Sequence, residues 1–415
     1  MRLSQSFSRT RKEKPSGAAS IGHELLVRGG FIEQELAGVF TMLPFGQRVL
    51  QKIEAIVREE MNKTGAQELL MTNLQSKEHW ETTGRWKTLD VLFKVPSQHG
   101  REYALGPTAE DVVTPLAKER IKSYRDLPVA VYQIQTKFRD EPRAKSGIIR
   151  GREFRMKDLY SFHTDEKDLG KFYDAMIPVY LRVFKRCGID AKVVEASGGD
   201  FTKQHSHEFM ALSDAGEDTI VYCDSCSFAQ NKEIAKAGDQ HPCPDCKSKL
   251  KTAKAIEIGN IFKLGTRFTE AFGVSFSDES GKKKTPVMAS YGLGTTRLVG
   301  AVAEVNHDIH GLIWPESVAP FVVHLVGLNL EDDSVKKAAD KLYTDLHTAG
   351  VAVLYDDRES AAAGQKLSDA DLIGSPWRVI LSKKTLAKKQ VELKARTSDK
   401  ADLISTAQLV AKLKK

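Results

Sequence analysis

The sequence predicts a mixed α+β chain in two parts: a large domain built on an antiparallel sheet, followed by a smaller α/β domain of about 95 residues. Three observations predict it. Val129 to Phe138 alternates in side-chain character, Phe154 to Phe162 is a second strand-like run, and the stretch between them, with Gly147 and Gly151, reads as a hairpin loop. From Phe321 onward the pattern switches to strand, helix, strand, helix. A length of 415 residues exceeds one ordinary domain, and Pro315 and Pro320 punctuate the change of pattern.

The elements follow in order. The start, MRLSQSFSRTRKEKP, lacks the apolar core of a secretory signal, and its Arg- and Ser-rich character also fits an organelle transit peptide. No apolar run reaches the roughly 18 to 20 residues of a membrane span, so the expectation is a cytoplasmic protein with no membrane partner. Phe45 to Met61 carries Val49, Leu50, Ile53, Ile56, Val57 and Met61 at helical spacing, and GAQELLMTNL reads as a turn and a strand. Pro107 and Thr108 start a helix toward Lys122, with Glu110 in its first turn. In the strand from Val129, Ala130, Tyr132, Ile134, Thr136 and Phe138 form a core face. Gln133, Gln135, Lys137 and Arg139 form the other, continued by Glu141, and it suits either a binding floor or the solvated side of an antiparallel sheet. Further on come a Lys-rich turn, the apolar run PVMAS, a turn YGLG and a helix from Thr295 to Val305. The last part reads as FVVHLVGL, a helix from Val335 to Ala349, VAVLY, a helix from Lys366 to Ile373, WRVILS and VELKAR.

With 41% apolar and 28% charged residues the composition excludes a disordered or fibrous chain. The charge balance, 62 − 55 = +7, is compatible with a polyanionic partner without demanding one. Five cysteines are too few for a disulfide framework. Four of them, Cys223, Cys226, Cys243 and Cys246, form two CxxC pairs separated by sixteen residues, the spacing of a closed four-thiolate structural zinc site. Cys187 stands alone as a buried thiol, and His205 and His207, with no third partner at metal spacing, read as structural or, second to that, substrate-lining.

The densest charge lies in FRDEPRAKSGIIRGREFRMKD, where Arg139, Arg143, Lys145, Arg150, Arg152, Arg155 and Lys157 crowd the hairpin. Guanidinium forks suit phosphate, and Phe154 offers a flat surface for a base. YGLGTTR departs from the dinucleotide fingerprint because Arg297 replaces its third glycine, and no GxxxxGK[ST] loop occurs. Nucleotide binding would therefore rest on arginine side chains.

Together LPFGQRVLQKIEAIVREEMNKTGAQELLM, LGPTAED, YQIQTKFRDE, RGREFRMKDLYSFH, EIGNIFKLG, YGLGTTR and WPESVAP resemble the bacterial-type prolyl-tRNA synthetases, a family of class II aminoacyl-tRNA synthetases, over nearly the whole chain. The resemblance implies a homodimeric proline–tRNA ligase using ATP and Mg²⁺, with L-proline and tRNA(Pro) as partners. It implies an antiparallel catalytic sheet of about six or seven strands and a C-terminal anticodon-binding domain. Arg139 and Glu141 would grip the ATP α-phosphate and the adenine amino group, Phe154 would stack on adenine, Arg297 would cover its other face, and Arg150 and Glu257 would complete the ATP site, Glu257 holding magnesium. Thr108 and Glu110 would receive the prolyl imino group, with Asp158, Tyr160, Ser290 and Gly292 lining the pocket. Asp356, Asp357, Arg358 and Lys366, in YDDRESAAAGQKLSDADLIG, would read anticodon bases.

Three departures from the family pattern stand out. Some forty residues from Ser213 to the strand AIEIGNIF leave no room for the editing domain usual between motifs 2 and 3, so no editing in cis is expected. Thr72 stands where motif 1 normally has proline, and the motif 2 loop reads EPRAKSG. The expected organisation is a catalytic domain in 1–212 and 254–316, a four-cysteine knuckle in 213–253 and an anticodon domain in 317–415.

Overall fold

The computed structural model describes residues 1–414 except 19, 145 and 200–204; Lys145 of the basic loop thus lies outside the described residues. The chain forms two compact units, one of Gln34–Phe40 with Ile53–Ala301, the other of Met1–Glu33, Thr41–Lys52 and Val302–Lys415.

The first unit is organised by one large sheet. Its elements are α1 (Pro44–Asn62, here from Ile53 on), β1 (Gln67–Glu68), α2 (Lys77–Thr82), α3 (Arg85–Thr88), α4 (Glu110–Arg120), β2 (Val129–Phe138) and β3 (Glu153–His163). Then follow α5 (Glu166–Arg186), β4 (Ala191–Ala196), β5 (Ser206–Leu212), β6 (Asp218–Cys223), β7 (Ala229–Asn231), β8 (Leu250–Gly265), β9 (Val287–Gly294) and α6 (Thr295–Val305). The nine strands run in the order β5-β4-β7-β6-β8-β9-β3-β2-β1. All pairs are antiparallel except β1 with β2 and β4 with β7. The count exceeds the expected six or seven because short strands, β1 and β7, add hydrogen-bonded rungs too brief to leave an alternating pattern. GAQELLM contributes only two residues of strand, and YGLG is the end of β9, where Gly292 pairs with Asp158 and Gly294 with Met156, instead of a turn.

One face of the sheet is covered by α5. Asp165 caps it by accepting the Asp168 N–H, and Leu169, Tyr173, Met176, Val179, Tyr180, Val183 and Phe184 bury one stripe at helical spacing. Tyr180 stacks on Phe209 of β5 with ring centroids 4.8 Å apart. On the opposite face, Val113 and Ala117 of α4 pack with Tyr160, Phe162, Leu264, Phe268 and Met288. The polar face of β2 is buried too: Gln133 is 0% and Lys137 1% exposed, so it is a floor inside the protein and not a solvated surface.

In the second unit, β10 (Val323–Gly327), α7 (Asp333–Thr348), β11 (Val353–Asp356), α8 (Ala363–Ile373), β12 (Trp377–Leu381), β13 (Val391–Ala395), β14 (Ala401–Ile404) and α9 (Thr406–Leu413) form an α/β domain. Its sheet order is β11-β10-β12-β13-β14, parallel through the first three strands. Leu325, Val335, Leu342, Leu346, Tyr355, Val379, Leu393 and Leu409 share its core. The exposed β14 and the short α9 had no clear signal in the sequence.

Glu60 near the end of α1 is held by Lys63 at 2.8 Å, Arg182 at 3.2 Å and Arg186 at 2.8 Å. Burial opposes its ionisation, but the three cations prevail and bring the carboxyl to about 2, below its ordinary value. A folded-state value below the unfolded one contributes stability at neutral pH that is lost as pH falls through the acid range. Glu60→Gln is expected to lower stability near neutrality and to flatten the acid dependence below about pH 4.5, as read by urea unfolding of both proteins across that range.

Candidate active site

The register of four neighbouring strands draws polar groups into one row. Gln133 lies opposite Asp158, Asp158 opposite Gly292, and Gly292 opposite Asn260. Two residues along, Ser290 faces Tyr160. Above this row opens a cavity of about 200 Å³ lined by Thr108, Glu110, Arg139, Phe154, Asp158, Tyr160, Glu257, Ser290, Gly292 and Arg297. A second cavity of about 240 Å³ shares Arg139, Glu257 and Arg297 and adds Glu141, Arg150, Glu217 and Asp218.

The inner end is a closed hydrogen-bond network. Thr108 Oγ1 donates to Glu110 Oε2 at 2.6 Å, the Ala109 N–H donates to Tyr160 Oη at 2.9 Å, and Tyr160 Oη donates to Asp158 Oδ2 at 3.1 Å. Gln133 Nε2 also donates to Asp158 Oδ2, at 2.8 Å, while its Oε1 accepts the Met71 N–H at 3.0 Å. Lys137 pairs with Asp158 Oδ1 at 2.9 Å. Burial and the neighbouring carboxylates push the Tyr160 phenol well above its ordinary value, so it stays a neutral donor.

The outer end is cationic. Arg139 lies over the Phe154 ring, 5.2 Å from its centroid, and its Nε and Nη2 both donate to the Pro107 carbonyl at 3.4 Å. Burial, with Arg297 alongside, lowers the Arg139 guanidinium below its ordinary value. Arg297, in the first turn of α6, donates to the Ile149 carbonyl at 2.8 Å, the Glu257 carbonyl at 2.9 Å and Glu257 Oε2 at 3.2 Å. Arg150 forks onto Glu141 Oε2 at 3.0 and 2.8 Å and reaches Glu217 at 2.5 Å. Behind Glu257, burial and the Glu257 charge raise Glu208 to about 8 and Asp218 to about 6. Such a group of desolvated carboxylates suits a divalent cation.

At the end of β6 the four cysteine Sγ atoms lie within 4.8 Å of one another, with Cys223 3.5 Å from Cys246 and Cys226 3.6 Å from Cys243. Tetrahedral zinc–thiolate bonds of about 2.3 Å place sulfurs roughly 3.8 Å apart, so the donor set fits. His205 pairs with Glu195 at the surface, and His207 Nδ1 meets Tyr173 Oη at 2.9 Å.

The four anticodon candidates lie on and after β11, and burial narrows them. Asp356 is 0% exposed and receives Arg358 Nε at 2.9 Å, and Lys366 is 3% exposed with its Nζ on the Gly327 carbonyl at 2.6 Å. Both side chains are turned inward and engaged within the domain. Asp357 accepts the Ser4 N–H at 2.9 Å, and Arg358 also bridges to Asp369 at 2.8 Å. Both line a polar groove with Arg2, Arg9 and Lys336.

Residues 93–306 match the family model described as tRNA synthetase class II core domain (G, H, P, S and T), and residues 318–415 match that of an anticodon binding domain. The chain is 34% identical to a Geobacillus protein named proline–tRNA ligase over 560 aligned positions, covering 99% of this chain and 98% of that one. The chain belongs to the prolyl-tRNA synthetase family. Within the family it is 38% identical, over 436 positions and the whole of both chains, to a proline–tRNA ligase of Rhizorhabdus wittichii. Its fold is similar to that of a Giardia lamblia prolyl-tRNA synthetase in complex with prolyl-adenylate, at a TM-score of 0.76 and 19% identity over 93% of this chain and 74% of that one.

Several site residues escaped the sequence reading. Alternation puts Gln133 and Lys137 on the polar face of β2, and only the structure pairs them with Asp158. Arg85, Glu208, Glu217 and Asp218 carried no local signal at all. Gly216, in the turn before β6, packs so closely that a Cβ there would lie 2.3 Å from the Ala255 carbonyl carbon. Gly216→Ala is expected to cost about 1–3 kcal/mol of stability in urea unfolding, because the backbone of β8 must move to admit the methyl group.

Proposed function

We propose that this chain is a proline–tRNA ligase that activates L-proline with ATP and transfers the prolyl group to the 3′ end of tRNA(Pro). The observation that carries it is the single cavity in which Thr108, Glu110, Asp158, Tyr160, Ser290 and Gly292 meet Arg139, Phe154, Glu257 and Arg297. The first six bind proline in this reading, its amine toward Glu110 and its ring in the small pocket. Phe154 stacks on adenine, and Glu141, once Arg150 moves to phosphate, receives the adenine amino group. Attack of the proline carboxylate on the α-phosphorus then builds negative charge on phosphoryl oxygens as pyrophosphate leaves. Arg139 and Arg297, each anchored on backbone carbonyls, stand ready for that charge without reorganisation, and act as the catalytic groups with Glu141. Glu257 would hold Mg²⁺, which neutralises phosphate charge when bound. No protein nucleophile is needed, and transfer to the tRNA ribose hydroxyl depends chiefly on positioning.

The same reading takes 1–212 and 254–316 as the catalytic domain, 213–253 as a zinc knuckle closing the place of the editing domain, and 317–415 as the anticodon-binding domain. Supporting it, the alignment to the Geobacillus relative has 560 − 415 = 145 more positions than this chain has residues, whereas that to the Rhizorhabdus relative has only 436 − 415 = 21. We infer a homodimer from an apolar groove of about 320 Å³ lined by Leu69, Leu70, Leu116 and Val129, in which Leu70 is 77% exposed. Cytoplasmic action goes with a product used in translation.

Proline-dependent exchange between ATP and pyrophosphate tests the reading. Exchange is expected with proline and is expected to fall about a hundredfold or more in Arg297→Ala; exchange indifferent to proline would overturn the function. The same protein should leave alanyl-tRNA intact. Native mass spectrometry is expected to find one zinc per chain, lost in Cys243→Ser.

A further inference from the structure

Arg85, at the start of α3, lies in none of the sequence segments that carry the family resemblance, yet it contacts Glu110, which lines the cavity. It is 5% exposed. Its guanidinium carbon lies 4.9 Å from the Trp80 ring centroid and 5.4 Å from that of Phe268, so an aromatic ring from each of two other elements fixes its plane. From there Nη1 donates to Asp111 Oδ2 at 2.6 Å and to Glu110 Oε2 at 3.3 Å. The same small substructure is tied to the pocket a second time. Trp80 Nε1 donates to Gln75 Oε1 at 3.0 Å, and Gln75 Nε2 donates to the Thr108 carbonyl at 3.0 Å.

The consequence falls on Glu110. This side chain is 2% exposed, and a polar group buried so deeply needs hydrogen-bond partners inside the protein. Both supports, Thr108 Oγ1 and Arg85 Nη1, converge on Oε2. The side chain is thus held by one oxygen from behind.

We propose that Arg85 is a positioning residue of the amino-acid site, holding Glu110 by Oε2 so that Oε1 is presented to the secondary ammonium of a cyclic amino acid. This inference rests on the reading of the cavity as a proline site. It gives α2 and α3 a part in amino-acid selection that motif content alone does not assign, since the aromatic clamp on Arg85 sets how firmly Glu110 is aimed. It predicts a specific kinetic separation. Losing Arg85 loosens the grip on the amine and leaves the arginines that meet ATP untouched.

The test compares steady-state exchange by the wild-type protein, Arg85→Met and Arg85→Lys, with melting temperatures measured alongside. Arg85→Met is expected to raise KM for proline about tenfold or more while KM for ATP stays within about twofold, and added methylguanidinium is expected to recover part of the loss. Arg85→Lys, a point charge that cannot keep the stacked fork, is expected to fall between the two. A folded Arg85→Met with wild-type KM for proline, or a parallel rise in both KM values with no rescue, would overturn the role. If Arg85→Met does not fold, Arg85→Lys decides: a KM for proline raised about threefold or more supports the role, and a wild-type value overturns it. Failure of wild-type exchange to depend on proline sinks the functional reading instead, and is seen before any variant is compared.

Discussion

Charge buried against a sheet must be paired on that sheet, and the first unit is arranged around this demand. Asp158, 4% exposed at the centre of β3, is answered by Lys137 and Gln133 from β2 and by Tyr160 from its own strand. Leaving any of these groups uncompensated inside the protein would cost several kcal/mol, so the register of the hairpin is fixed by electrostatics as much as by its apolar face. Once β2 and β3 are in register, β9 and β8 fall into the same row. The glycine at Gly292 leaves open the space that a side chain would close.

The long periodic elements were legible in the sequence. The helix Pro44–Asn62, the strands Val129–Phe138 and Glu153–His163 and the helix Thr295–Val305 lie within a residue or two of where spacing puts them. YGLG was misread because glycine signals turns more often than strand ends, and only the pairing with Asp158 and Met156 gives the strand away. Thr108, Glu110, Arg139, Phe154, Glu257 and Arg297, each within a sequence motif, gather in the two adjoining cavities. Arg85 was invisible because its meaning lies in rings and carboxylates contributed by distant segments, and no window of sequence holds them together. The burial of Asp356 and Lys366 was illegible for a different reason: composition reports that a residue is charged, and only packing reports that its charge is turned inward.

Residues 213–253 pass through the sheet and not merely beside it. β6 begins at Asp218, in the wall of the second cavity, and ends at Cys223, among the four thiols; β8 starts at Leu250, just after Cys246, and carries Glu257 back to the same wall. The pairing of Cys223 with Leu250 and of Asp218 with Ala255 joins the two ends along one ladder. A metal among the cysteines would therefore brace the strands that carry the acidic side of the cavity.

Arg139, Glu257 and Arg297 belong to both cavities, and a partition with two sides has an evolutionary price. No substitution in it can refit one chamber while leaving the other as it was. Thr108, Tyr160 and Ser290 border only the inner chamber, and Glu141, Arg150 and Glu217 only the second. A change in the shape of the inner chamber alone would therefore have to come from the first trio, and a change in the second alone from the other.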